Sequence, residues 1–94
     1  MKKRTVTHTP FEPGHLVMTR AVPQEFTARE VFTSVMRHLQ CDWGDVPEAD
    51  WVENDKAVRC GDRLVSAYRF GDKRLLVMTK TDRSATTVML PEDY

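Results

Sequence analysis

Three short runs in the second half of the chain, RLVSAYRF (63–70), RLLVMT (74–79) and ATTVML (85–90), leave it few folds to choose from. They are rich in branched and aromatic residues and of strand length, and only a few polar residues separate them. Gly71 and Asp72 suit a tight hairpin turn between the first two. Pairing outward from that turn sets Tyr68 against Leu75, Ser66 against Val77 and Leu64 against Thr79 on one face. The other face then holds Arg69 with Arg74, Ala67 with Leu76, Val65 with Met78 and Arg63 with Lys80. In the polar link TDRS, Asp82 and Ser84 are suited to satisfying the backbone of a turn. In the last run Thr86, Val88 and Leu90 face one way and Thr87 and Met89 the other. The spacing predicts a three-stranded antiparallel meander.

The first half supplies helices to cover it. Thr27 and Glu30 make a capping box, each side chain suited to the other residue's backbone amide, with Phe26 and Val31 placed as a hydrophobic staple. At 100° per residue Val31, Phe32, Val35, Met36 and Leu39 share an arc of roughly 140°, the stripe this helix is expected to bury, with His38 at its edge. In CDWGD, Gly44 offers the positive φ of a helix end and Trp43 a side chain to fold back on the core. Asp45 and Glu48 repeat the cap spacing, which predicts a second helix from about Val46 to Arg59, stopped by Gly61. Upstream, the run His15 to Val22 reads as a fourth short strand that Pro23 ends. Residues 1–13 read as a flexible arm and 14–94 as one domain. The expected class is α+β, an antiparallel sheet of three to four strands packed against two helices.

Composition narrows the setting. No apolar run approaches a membrane span, so no membrane partner is expected, and MKKRTVTHTP lacks the apolar segment of a secretory signal, which makes the cytoplasm the expected location. Cys41 and Cys60 then read as reduced thiols. Charge is segregated: six acids and no base lie between Asp42 and Asp55, and eight bases against three acids between Lys56 and Arg83. An acidic helix and a basic sheet that neutralise one another account for that pattern.

HLQCDWGDVPEADWVEND, GDRLVSAYRF and VMTKTDRSATTVMLPEDY resemble a family of small bacterial plasmid-related proteins, many of which carry the label type I restriction endonuclease subunit M. The resemblance covers residues 38–94 well and 14–37 loosely. Its strongest marks are the corner Cys41 to Asp45, Asn54, the set Arg63, Ser66 and Tyr68, and the ending TDRSATTVMLPEDY. Cys41 stands where glycine is common, Lys80 replaces an acid, and the turn after Phe70 is one residue short. The resemblance implies a mobile-element or restriction-related setting. DNA methylation itself is excluded for this chain, because a methyl-donor site needs a doubly wound domain with a glycine-rich turn, and these 94 residues hold none.

Three sets of residues are candidates for function. His38 on a helix, with Thr79, Arg83, Ser84, Thr86 and Tyr68 on or beside the sheet, is similar to the small metal-independent ribonucleases of barnase, colicin and RelE-like type. His38 would take the ribose 2′-hydroxyl proton and Arg83 would stabilise the phosphorane charge. The plainer reading has His38 edging the helix stripe and Asp82 to Ser84 closing a turn. Trp51, with Glu53 and Asp55 beside it on the acidic helix, suits a protein contact. Arg63, Arg69, Arg74 and Lys80 on one sheet face suit nucleic-acid phosphates, although a helix is expected to cover the apolar centre of that face and leave the cations as a rim. His38, Cys41, Asp42 and Cys60 fall short of a four-ligand Cys and His set, so no metal and no cofactor is expected. The leading expectation is a small accessory or binding protein of a plasmid, phage or mobile element, acting by macromolecular contact in defence or counter-defence. RNA cleavage and nucleic-acid binding follow it.

Overall fold

In a computed structural model, described here for residues 9–94, the chain forms β1 (His15–Met18), α1 (Val22–Glu25), α2 (Ala28–Leu39), α3 (Glu48–Cys60), β2 (Leu64–Phe70), β3 (Lys73–Thr79) and β4 (Ala85–Met89), and closes on a 3-10 turn, Pro91–Asp93. The class is α+β. Gly71, at φ 68°, gives the two-residue loop its positive φ, and β2 and β3 pair in the predicted register from Leu64 with Thr79 to Arg69 with Arg74. Arg63 and Lys80 lie just beyond the strand ends. β4 adds antiparallel to β3, placing Thr86 against Thr79 and Val88 against Val77. β1 does join the sheet, but parallel to β4, so the sheet is mixed, in the order β1-β4-β3-β2. The helices and the β2–β3 hairpin form the long crossover that a parallel pair requires.

Local signals set most boundaries. The capping box forms, with Glu30 N–H donating to Thr27 Oγ1 at 3.1 Å and Thr27 N–H donating to Glu30 Oε1 at 2.9 Å. α2 ends earlier than the Gly44 signal suggests. Cys41 takes φ 65°, its N–H donates to His38 O, and Asp42 N–H donates to Arg37 O, which together make the paired bonds of a Schellman motif. Gly44 serves the sheet instead. Ala67 N–H donates to Trp43 O at 3.1 Å and Asp45 N–H to Ala67 O at 2.6 Å, so the corner lies against the outer edge of β2. A Cβ on Gly44 would run into the Ala67 carbonyl and sit 2.7 Å from the Tyr68 ring. The corner thereby shields an edge that would otherwise be open to pairing.

Several expectations are corrected. Pro23 does not end a strand; it occupies the first turn of α1, where its missing amide has no partner to lose, and β1 stops at Met18. Asp45 does not cap α3, whose N-cap is Pro47, but meets Arg69 at 3.1 Å and Arg74 at 3.8 Å. Residues 1–8 of the expected arm lie outside the described residues; within the rest of it, Phe11 is buried and stacks on Trp43. An aromatic ring that can cover a tryptophan gains too much apolar burial to stay in solvent.

The helices also cover the other face of the sheet from the one expected. Leu64, Ser66, Tyr68, Leu75, Val77 and Thr79 are buried beneath them, while Val65, Leu76 and Met78 are half-buried on the opposite side. The side that bears Arg69 and Arg74 keeps its charges in water by staying open. α3 is fixed to β2 by the buried Asn54 amide, which donates to Val65 O at 2.8 Å and accepts from Val65 N–H at 3.3 Å. α2 is rolled relative to its predicted stripe. Ser34, Val35, His38 and Leu39 are buried, whereas Phe32 is 65% exposed and Met36 36%. No helix among the described residues is long and apolar enough to cross a membrane.

Candidate functional site

Beneath α2 a chain of hydroxyls crosses the buried sheet face and ends on His38. The imidazole has no exposed surface. Its Nδ1 meets Ser66 Oγ, and its Nε2 lies 2.8 Å from Thr79 Oγ1, which lies 2.7 Å from Thr86 Oγ1, which donates to Pro13 O at 2.7 Å. Donor counting fixes the protons. Pro13 O only accepts, so the Thr86 hydrogen goes there; Thr79 must then donate to Thr86, and its oxygen accepts from Nε2–H. His38 is thus assigned as the neutral Nε2 tautomer, with Nδ1 accepting from Ser66. Burial, and secondarily the Arg83 charge, push its pKa down to about 3. Phe11 and Trp43 meet the ring edge-on at 5.4 and 5.5 Å. With both nitrogens engaged and no path to water, the imidazole fastens α2 to the sheet.

The other residues of the expected catalytic set are dispersed. Arg83, at φ 62°, donates through Nη2 to Ala57 O at 2.9 Å and through Nη1 to Asp62 O and Lys80 O, closing the C-terminal end of α3. Its guanidinium also lies 5.7 Å over the Phe11 ring, so Phe11 touches both Arg83 and His38. Ser84 sits in the turn, its N–H donating to Asp82 Oδ1 at 3.0 Å. Tyr68 donates to Asp42 O at 2.7 Å, and burial pushes its phenol upward. His38, Thr79 and Thr86 are brought together, Arg83 adjoins them through Phe11, and Ser84 and Tyr68 stand apart. Sequence reasoning passed over Ser66 and Phe11. The readable signal was three hydroxyls, Ser66, Thr79 and Thr86, on a sheet face otherwise filled by Leu, Val and Tyr.

The charged sets are largely engaged within the fold. Arg69 and Arg74 converge on Asp45, and Arg63 lies 5.5 Å over the Tyr94 ring, which leaves Lys80 exposed at the strand end. Trp51 is half-buried against the core, Asp55 accepts from the Trp43 indole at 2.9 Å, and Glu53 faces solvent. Burial raises the pKa of the half-buried Cys41 thiol, and Cys60 is exposed at the end of α3. No group of three or more His, Cys, Asp or Glu side chains is placed to hold a metal ion among the described residues.

The largest concave feature lies where no sequence signal pointed. α2 covers β2 and β3, and on the same side of the sheet an apolar groove of about 680 Å³ opens over β4 and β1. Leu16, Val17, Met18 and Val88 form its sheet side. Phe32, Val35 and Met36 form the wall on α2, and Pro23 and Phe26 border it as well. Thr27 is the one polar side chain in the lining. Leu16 is 60% exposed, as befits a strand at the sheet edge with nothing packed over it. The groove and the His38 network share a cause: the roll that carries His38 inward carries Phe32 and Met36 outward. No family model, no curated protein and no solved structure matches this chain.

Proposed function

We propose that this chain is a binding protein whose working surface is the groove between α2 and β1, occupied by a segment of a partner protein. The observation that carries the reading is the contiguous exposure of Leu16, Val17, Met18, Phe32 and Met36 on one side of the molecule. Single exposed apolar residues are ordinary, but a joined patch of this kind marks a contact surface. Covering it would contribute about 1.5–3 kcal/mol for each large side chain fully buried. A small polar substrate would need convergent polar anchors, and Thr27 alone does not provide them. RNA cleavage through His38 is disfavoured by the enclosure of both imidazole nitrogens, and phosphate tracking by the ion pairs that Asp45 makes with Arg69 and Arg74. The resemblance to plasmid-related proteins supports a mobile-element setting, with defence or counter-defence as the context.

Photo-crosslinking tests this reading. A benzophenone side chain placed at position 32 or 36 should capture a discrete polypeptide in cells of the native host, while the same group at Val52, equally exposed on α3, should not. Equal capture from position 52, or capture of nucleic acid instead of protein, would overturn it.

A further inference from the structure

We infer that the occupant of the groove is a short amphipathic helix of a partner protein, with acidic residues flanking its apolar stripe; this rests on the reading of the groove as a protein-binding surface. Width argues for a helix. The uncovered strands β4 and β1 span two inter-strand spacings, about 10 Å, which is the diameter of one helix with its side chains. Length agrees. The four residues of β1 extend about 13 Å, and Val31 to Leu39 on α2 rise about 12 Å, so a helix of two to three turns lies along both. Such a helix presents apolar residues at i, i+3 or i+4, and i+7. A strand added to the β1 edge would instead leave Phe32 and Met36 in water.

Charge selects the flanks. Arg20, two residues beyond Met18, and Arg29, one turn ahead of Phe32, are exposed and make no ion pair among the described residues. The nearby carboxylates are engaged. Glu25 meets Lys73 Nζ at 3.3 Å, Glu30 completes the capping box, and Asp93 accepts from the Thr19 hydroxyl at 2.8 Å. The unpaired charge beside the groove is therefore positive. Residues 1–8 carry Lys2, Lys3 and Arg4 and no acid, with only Met1 and Val6 apolar, so this chain's own start has the wrong sign and too little apolar surface. A second copy would bring the same arginines against one another across a twofold axis. A foreign helix with acidic flanks meets both the apolar lining and the cations.

The test selects peptides from a displayed library of random segments about four helical turns long. Binders are then measured by fluorescence anisotropy against the full chain, Phe32→Asp, Met36→Lys and the pair Arg20→Glu with Arg29→Glu. Selected sequences should show helical apolar spacing and net negative charge. Each groove variant should weaken them at least about tenfold with an unchanged circular dichroism spectrum, and the arginine reversal should do likewise, about 1.4 kcal/mol per factor of ten. Binders with alternating apolar residues or net positive charge overturn the proposal, as do binders indifferent to Phe32→Asp, or no binders at all. A dimer that Phe32→Asp dissolves assigns the groove to a second copy, and a groove that binds only after removal of residues 1–8 assigns it to that segment. If crosslinks form at positions 32 and 36 while these signatures fail, the groove binds protein of another shape. If both fail, the binding reading falls with the proposal.

Discussion

Acid should destabilise this protein well before its carboxylates titrate, because His38 stays buried only while neutral. Its pKa falls from 6.5 in the unfolded chain to about 3 in the fold. Between those values the unfolded state binds a proton that the native state refuses, so stability is fully present above the unfolded pKa and is lost as pH falls below it. Integrating that linkage from about pH 7 to about pH 5 gives a loss of about 2 kcal/mol, a large share of the ~5–10 kcal/mol expected of a domain this size. With a urea slope of about 1–1.5 kcal/mol per molar, the unfolding midpoint should drop by roughly 1–2 M over that interval. Asp42 and Asp82, held below the usual carboxylate range by hydrogen bonds from Arg37 and Ser84 respectively, act in the same direction but only below their ordinary value of 3.8, so the window is clear of them. His38→Gln, uncharged at every pH, should be about 1–3 kcal/mol less stable near pH 7 and should lose most of the slope. Urea melts of both proteins, followed by tryptophan fluorescence, decide the matter. Superimposable wild-type melts at the two pH values, or an undiminished slope in His38→Gln, would refute the assignment of a buried neutral imidazole.

Three further outcomes follow from the fold. Gly61→Ala places its Cβ in open space at φ 77°, so it should cost only the left-handed backbone penalty of about 1–2 kcal/mol, while Gly44→Ala, which also collides with Ala67 and Tyr68, should cost clearly more in the same urea melts. Arg83→Met keeps an apolar stem beside Phe11 but strips the donors from the Ala57, Asp62 and Lys80 carbonyls. It should lower stability by about 1–2 kcal/mol, measured by thermal or urea unfolding. Phe32→Ser with Met36→Ser should leave the unfolding free energy within about 1 kcal/mol of wild type and reduce fluorescence of an apolar dye, because both side chains are largely in water before the change.

The parts of the fold legible in sequence were those set by neighbours along the chain. A two-residue loop at Gly71 and Asp72 fixes every pair of the hairpin, and strand alternation then fixes the faces. Thr27 and Glu30 lie within one turn, so their capping box needs no tertiary knowledge. The face chosen by the helices and the roll of α2 depend on partners far away in sequence, and there the stripe rule misplaced Phe32 and Met36. The buried arc of α2 is turned by roughly 60° from the centre of its apolar stripe, toward His38 and Ser34. Ser34 bonds within its own helix, to Glu30 O at 2.8 Å, so it does not pull the helix round. His38 does, since both its nitrogens find partners only when it faces Ser66 and Thr79. The polar network and the apolar groove are then one device, and they can be uncoupled. Replacing the network with apolar groups of similar shape, His38→Leu, Ser66→Ala and Thr79→Val together, removes donors and acceptors as a set and should be tolerated far better than His38→Leu alone. With that constraint gone, α2 is free to roll back and bury Phe32. Cysteine labelling at position 32 in a Cys41→Ser, Cys60→Ser background reads the roll: the reactive thiol should become protected in the apolar triple variant. If it stays as reactive as before, something other than His38 sets the angle of α2.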